Sequence, residues 1–118
     1  MSACECLATA RSSPHYQLVI NEFIDAFRRA NAREREKMID APIETSGELE
    51  GLVAAVVSAL CRETDTETPA WVHDIGSPTP FFPFPARSFA LRIRLMIESP
   101  PPFRCRNVFV PESYMSRA

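Results

Sequence analysis

RSFALRIRLMIESPPPFRCRNVFV, residues 87–110, is the stretch on which the fold of this chain turns. Phe89, Leu91, Ile93, Leu95 and Ile97 alternate with Ala90, Arg92, Arg94, Met96 and Glu98, the period-two pattern of a strand with one buried face. The same residues also read as a helix. Pro85 stands where a helix can begin, Ala, Leu, Arg and Met favour helix, and Arg94 and Glu98 fall four apart on one face. A strand needs a partner, and the other extended candidate, Val108–Val110, is very short. Helix over 88–98 is therefore the expectation, and the chain reads as all-α. A strand at 88–98 would make it α+β instead.

Beyond this segment, Ser99 with Pro100 is a cap-plus-proline device that opens a short helix through Arg106. Asn107 tolerates the left-handed turn that ends it. Val108–Val110 is then briefly extended, and Pro111 starts a terminal helix carrying Tyr114 and Met115.

Working back towards the N-terminus, residues 77–85 (SPTPFFPFP) have no period and form a Pro/Phe-rich loop. Phenylalanines set among prolines either cover a core or stand exposed as a binding face. Residues 48–63 carry the strongest helical signal. Leu49, Leu52, Val53, Val56 and Leu60 give the period, Ala54, Ala55, Val57, Ala59 and Cys61 fill the other faces, and Thr45 with Glu48 supplies a capping-box signal. A helix apolar nearly all round is a core helix.

Before it, Asn31 and Glu34 form a second capping box, opening a short helix over the mixed-charge run 33–37 that ends at Pro42. Alternating charges suit a solvated face, because the glutamates cancel the local field. Ser13-Pro14 opens a first helix whose apolar stripe is Tyr16, Ile20, Phe23, Phe27 and Ala30. Residues 1–12 show no period and read as a flexible leader, leaving 13–118 as a single helical domain. The expected architecture is a compact bundle of four to six short helices with the Pro/Phe-rich loop over one side.

The chain has 118 residues, room for one domain with a useful core. Three glycines are few for an all-β chain of tight hairpins, and eleven prolines suit helices joined by stiff connectors. The formal charge is −2 but unevenly spread. Residues 1–85 hold thirteen acids and seven bases, whereas residues 86–118 hold two acids and six bases. Such asymmetry points to an anionic partner for the C-terminal part, or to two halves of the fold that attract each other. No apolar run approaches the ~20 residues of a spanning helix, and no signal peptide is recognisable. A cytoplasmic chain with its four cysteines reduced is expected, with no role at a membrane.

Reaction chemistry has little to stand on. Cys4 and Cys6 are one residue apart, Cys61 lies in the core helix, Cys105 sits between two arginines, and His15 and His73 are in unrelated contexts. No metal site, no cofactor and no catalytic residue is expected from these spacings. His73-Asp74 beside Trp71 is the least weak catalytic pair, and the chain is not read as an enzyme. Arg87, Arg92, Arg94, Arg104 and Arg106 can reach phosphates, which keeps a nucleic-acid-binding regulator as the alternative. Arginine pairs equally well with carboxylates on a protein.

Glu98-Ser99-Pro100, Phe103-Arg104, Arg106-Asn107-Val108-Phe109-Val110 and the closing Arg117-Ala118 together resemble a C-terminal ESPxxFRxRNxFV…RA segment of small uncharacterised bacterial proteins. Those proteins also tend to carry a Pro-Ala-Trp segment after a buried helix, matched by Pro69-Ala70-Trp71. Some are identified as antitoxin-like partners of nucleotidyltransferase-like toxins. The resemblance implies a protein-interaction module, an antitoxin-like neutraliser of a toxin encoded nearby, and transfers no active site. Trp71, Phe81, Phe82, Phe84, Arg104 and Arg106 are the expected partner-binding residues, with Arg104 and Arg106 turned outward.

Overall fold

The computed structural model describes residues 1–83 and 88–116, and within them the fold is all-α. The six α-helices are α1 (Ala3–Arg11), α2 (Tyr16–Arg29), α3 (Ala32–Ile39), α4 (Glu48–Thr64), α5 (Phe89–Glu98) and α6 (Pro101–Arg104), with a 3-10 turn at Ala70–Asp74 between α4 and α5. The nearest approach to a sheet is one isolated parallel bridge, Phe81 with Val108.

α4 is the central helix. Gly51 through Val57, Leu60 and Cys61 are buried along it, as expected of a helix with apolar residues on nearly every face. α1, α2, α6 and the 3-10 turn all pack against it. α2 contributes Val19, Ile20, Phe23, Ile24 and Phe27, a stripe at helical spacing. α3 starts on the capping box read from the sequence: the Asn31 side chain accepts from Glu34 N at 2.9 Å and Glu34 Oε1 accepts from Asn31 N at 3.3 Å. α4 ends on Asp65, whose φ of 55° gives a left-handed cap.

Residues 1–12 are not a flexible leader. Residues 3–11 form α1, which lays Ala3, Cys6, Leu7 and Ala10 into the core against α2 and α4. Its N-terminus is closed by a full capping box: Ser2 Oγ accepts from Glu5 N at 3.1 Å, and Glu5 Oε1 accepts from Ser2 N. Arg11 ties its other end to Glu50 on α4.

Several helix starts differ from their sequence signals. α2 begins at Tyr16, with Ser13 and Pro14 outside it, and Ser13 Oγ accepts from His15 N instead of capping the helix. α4 is capped by Gly47, which has no side chain to bond the first turn, while Ser46 Oγ is turned toward Gly76 N and Asp74 O. α6 stops at Arg104 rather than Arg106, and residues 112–115 form turns rather than a terminal helix. Asn107 does take the left-handed conformation expected of it, with φ of 64°.

Gly51 has a packing role. A Cβ placed there would lie 2.7 Å from Ser77 N and 2.9 Å from Gly76 C, so the 76–77 backbone crosses directly over α4. Neither contact atom belongs to a flexible side chain, and Ser77 N is already committed to Arg106 O at 2.8 Å. Glycine in a helix interior otherwise costs about 0.5–1 kcal/mol relative to alanine. Gly51→Ala is expected to reverse that sign and destabilise the fold by roughly 1–3 kcal/mol through overpacking. Thermal unfolding followed by circular dichroism is the check; a raised midpoint would mean that the crossing is not tight.

Candidate interaction surface

The C-terminal segment is built on Ser99. Its hydroxyl lies 2.6 Å from Leu95 O and 2.9 Å from Val110 O, and accepts from Val110 N at 2.8 Å, all of it buried. Ser99 thus does not cap a following helix with its side chain. It clips the end of α5 to the extended residues 108–110, which run into the core through Val108 and Val110. The three prolines after it start α6, where Pro102 and Phe103 are buried and the Phe103 ring meets Tyr114 edge-on at 5.3 Å.

Arg106 lies in the interior rather than outward. The residue is 7% exposed. Nε and Nη2 both donate to Val72 O at 3.0 and 2.8 Å, and Nη1 donates to Pro102 O at 2.7 Å. Burial holds its pKa below the usual arginine value, with the neighbouring Cys105 acting in the opposite direction. Apart from the Cys105 sulfur the partners are carbonyls, so the guanidinium serves as a clamp between the 3-10 turn and α6.

Trp71 is half-buried on that 3-10 turn, and its indole N–H donates to Ile39 O at 2.9 Å, fixing the end of α3. Phe81 is half-buried over the core near Tyr16, with its backbone bonded to Asn107 O and Phe109 N. Phe84 lies outside the described residues. Of the expected contact residues, Trp71, Phe81 and Arg106 are therefore engaged in holding the fold together.

Phe82 and Arg104 stand next to α5. The Phe82 ring packs on Phe109 at 5.3 Å and joins Leu95 in a small satellite cluster, with the Arg92 guanidinium 5.5 Å above it. Arg104 is exposed, and its Nη1 donates to Ile97 O at 3.3 Å at the C-terminal end of α5. Arg94 pairs with Glu98 at 3.3 Å inside the helix, as its spacing implied. Among the described residues, Arg94, Arg104 and Arg106 thus find partners in α5, in backbone carbonyls or in the Cys105 sulfur, and not in the carboxylates of residues 1–83.

α5 itself is the feature that the sequence reading missed as a surface. It buries only Leu95. Phe89 is 80% exposed, Ile97 71%, and Leu91, Ile93 and Met96 between 38% and 39%. A single exposed apolar side chain is ordinary, whereas Phe89, Ile93, Met96 and Ile97 share one side of the ten-residue helix and form a patch. The strand-like alternation was the available signal: wound into a helix, it spreads apolar residues around the cylinder, and packing on one side leaves the others in solvent.

His73 and Asp74 are both exposed. His73 lines an open cleft of about 440 Å3 with Glu36, Asp40 and Glu67 among its neighbours. No group of His, Cys, Asp and Glu among the described residues is arranged to hold a metal ion, and none of the described helices is long and apolar enough to cross a membrane.

The cysteines divide by environment. Cys6 is fully buried, and burial, with a lesser contribution from the charge of Glu22, pushes its thiol up to about 12. Cys61 is buried and its pKa is also raised, chiefly by desolvation. Cys105 is exposed, with Arg106 Nη1 donating to its sulfur at 3.3 Å. A native-state titration with an aromatic disulfide reagent is expected to modify Cys105 first and Cys6 and Cys61 only on unfolding, since the thiolate is the nucleophile. Rapid modification of Cys6 in the folded chain would contradict the placement of α1.

No family model, curated protein or solved structure matches the chain.

Proposed function

We propose that this chain is a small cytoplasmic protein-interaction module that neutralises a partner protein in the manner of an antitoxin. The observation that carries this reading is the apolar face of α5, where Phe89 and Ile97 are largely in solvent. A monomer gains nothing by holding such side chains in water, whereas a partner that covers them gains their burial. The ESPxxFRxRNxFV resemblance supplies the antitoxin element, with a toxin encoded nearby as the partner. Binding rather than catalysis is the chemistry offered, and no cofactor is invoked.

Affinity purification of the full chain from the cells that produce it, followed by co-expression with the product of the adjacent gene, tests the proposal. A stoichiometric complex and relief of that product's toxicity are expected. Recovery of no stoichiometric protein partner would overturn it.

A nucleic-acid-binding regulator is the second reading, favoured by Arg92, Arg94 and Arg104 at exposed positions on one segment, with Arg87 outside the described residues. Arg106, sealed inside, no longer belongs to that set. This reading requires binding that weakens steeply with salt, and an unshifted band with both DNA and RNA at low salt would dispose of it.

A further inference from the structure

The face of α5 has an order that specifies its occupant. Phe89, Ile93 and Ile97 follow one another at i, i+4 and i+8, with Met96 alongside at i+7, so they form one stripe along the helix. Helical spacing places Arg92 on one edge of that stripe and Arg94 on the other. The Arg94 side chain is 78% exposed even while its Nε meets Glu98, and Arg104 stands at the C-terminal end, bonded to Ile97 O. The stripe is thus apolar along its length, with Arg92 on one edge, the Arg94–Glu98 pair on the other and Arg104 at its C-terminal end.

We infer that α5 is a docking helix for a second protein that presents a groove with an apolar floor and acidic rims. This deepens the interaction-module reading and rests on it. Phe89, Ile93 and Ile97 enter the floor as anchors, the mode by which amphipathic helices fill grooves. Arg92, Arg94 and Arg104 meet carboxylates on the rims, which sets orientation and excludes wrong partners.

Charge and area both disfavour a second copy of this chain as the occupant. Two α5 helices packed along their stripes in antiparallel fashion set Arg92 against Arg92 and Arg94 against Arg94; packed in parallel, they set Arg92 against Arg94. Either arrangement places like charges in contact. A three-turn helix on its own twin also buries much less than the roughly 1,200–2,000 Å2 of a stable interface, whereas a groove encloses the helix on several sides.

The test uses the full chain in its own cells, with a photo-crosslinking phenylalanine analogue placed at position 89, at 97, or at the exposed control position Glu67. Positions 89 and 97 are expected to capture one protein, position 67 to capture none, and the crosslinked peptide to lie in an apolar groove edged by carboxylates. That protein, purified, is expected to bind the full chain at least 100-fold more weakly after Ile97→Asp. After Arg92→Glu or Arg94→Glu the loss is expected to be about tenfold, and binding is expected to weaken as salt rises.

These side chains are exposed, so unchanged circular dichroism and unfolding midpoints identify variants that still fold. Four results would overturn the inference: crosslinks to another copy of this chain with a concentration-dependent dimer in sedimentation, co-sedimentation with phosphatidylglycerol vesicles that Ile97→Asp abolishes, binding indifferent to charge reversal, or crosslinks from position 67 alone. The last leaves an interaction module standing on a different face. Capture of no protein from any position would remove both readings.

Discussion

Deleting residues 1–12 is expected to lower the stability of the fold by roughly 5 kcal/mol, from burial of about 1.5–3 kcal/mol for a large apolar side chain, smaller terms for the others, and the newly exposed surfaces beneath them. The deletion removes Ala3, Cys6, Leu7 and Ala10 from the core. It also bares the faces of α2 and α4 on which α1 lies and cuts the Arg11–Glu50 link. Domains of this kind hold only about 5–15 kcal/mol in total, so the truncated chain is expected to be marginal or partly unfolded at 25 °C. Urea unfolding followed by fluorescence of Trp71, the one tryptophan, measures the effect. An unchanged midpoint would show that residues 1–12 do not contribute to the core.

The reason α1 escapes a reading of the sequence is instructive. Its apolar positions do fall at i, i+3, i+4 and i+7, but three of the four are Ala or Cys, whose hydrophobic contrast with Ser, Thr and Glu is slight. The better signal was local: Ser2 with Glu5 three residues on is a capping box, the same device that correctly marks Asn31 and Glu34 at the start of α3. α2 and α4 were legible because Phe, Ile, Val and Leu recur there over three or more turns. Helix starts were less so, since Ser13 and Thr45 are competent caps and the structure instead places His15 and Gly47 there. Tertiary demands decide such cases, here the passage of the 76–77 backbone over Gly51.

α5 is the helix expected over 88–98, yet none of the expected partner-binding residues lies on it. Which side chains face out, however, depends on what α5 packs against, and that is not written in residues 89–98. Arginine misled most. Arg104 and Arg106 look equivalent in sequence, two apart around Cys105, yet Arg104 is exposed while Arg106 is sealed under the 3-10 turn. The distinguishing circumstance is a cluster of carbonyls, Val72 O and Pro102 O, assembled from segments thirty residues apart. Backbone acceptors leave no mark in composition or charge pattern.

Arg106→Ala is expected to cost about 3 kcal/mol, the charged-donor bonds being worth roughly 1.5–3 kcal/mol each before the relief of desolvation is subtracted. The loss has three sources. Val72 O loses both its arginine donors and Pro102 O loses the arginine donor that reaches it, in a site closed to solvent. The stem of the side chain leaves a cavity. The backbone at residue 106, whose carbonyl accepts from Ser77 N, loses the anchor that holds the 76–77 segment against α4. Arg106→Lys keeps the charge but cannot bond Val72 O with two nitrogens at once, so most of the loss is expected to remain, about 2 kcal/mol. A urea midpoint lowered by roughly 1–2 M for both variants, with an unchanged slope, is the measurement. Arg104→Ala provides the contrast: its guanidinium is exposed and makes one bond at 3.3 Å, so its midpoint is expected to move by less than about 0.5 M. Equal effects at the two positions would place Arg106 at the surface and dissolve the distinction between the buried arginine and the exposed one.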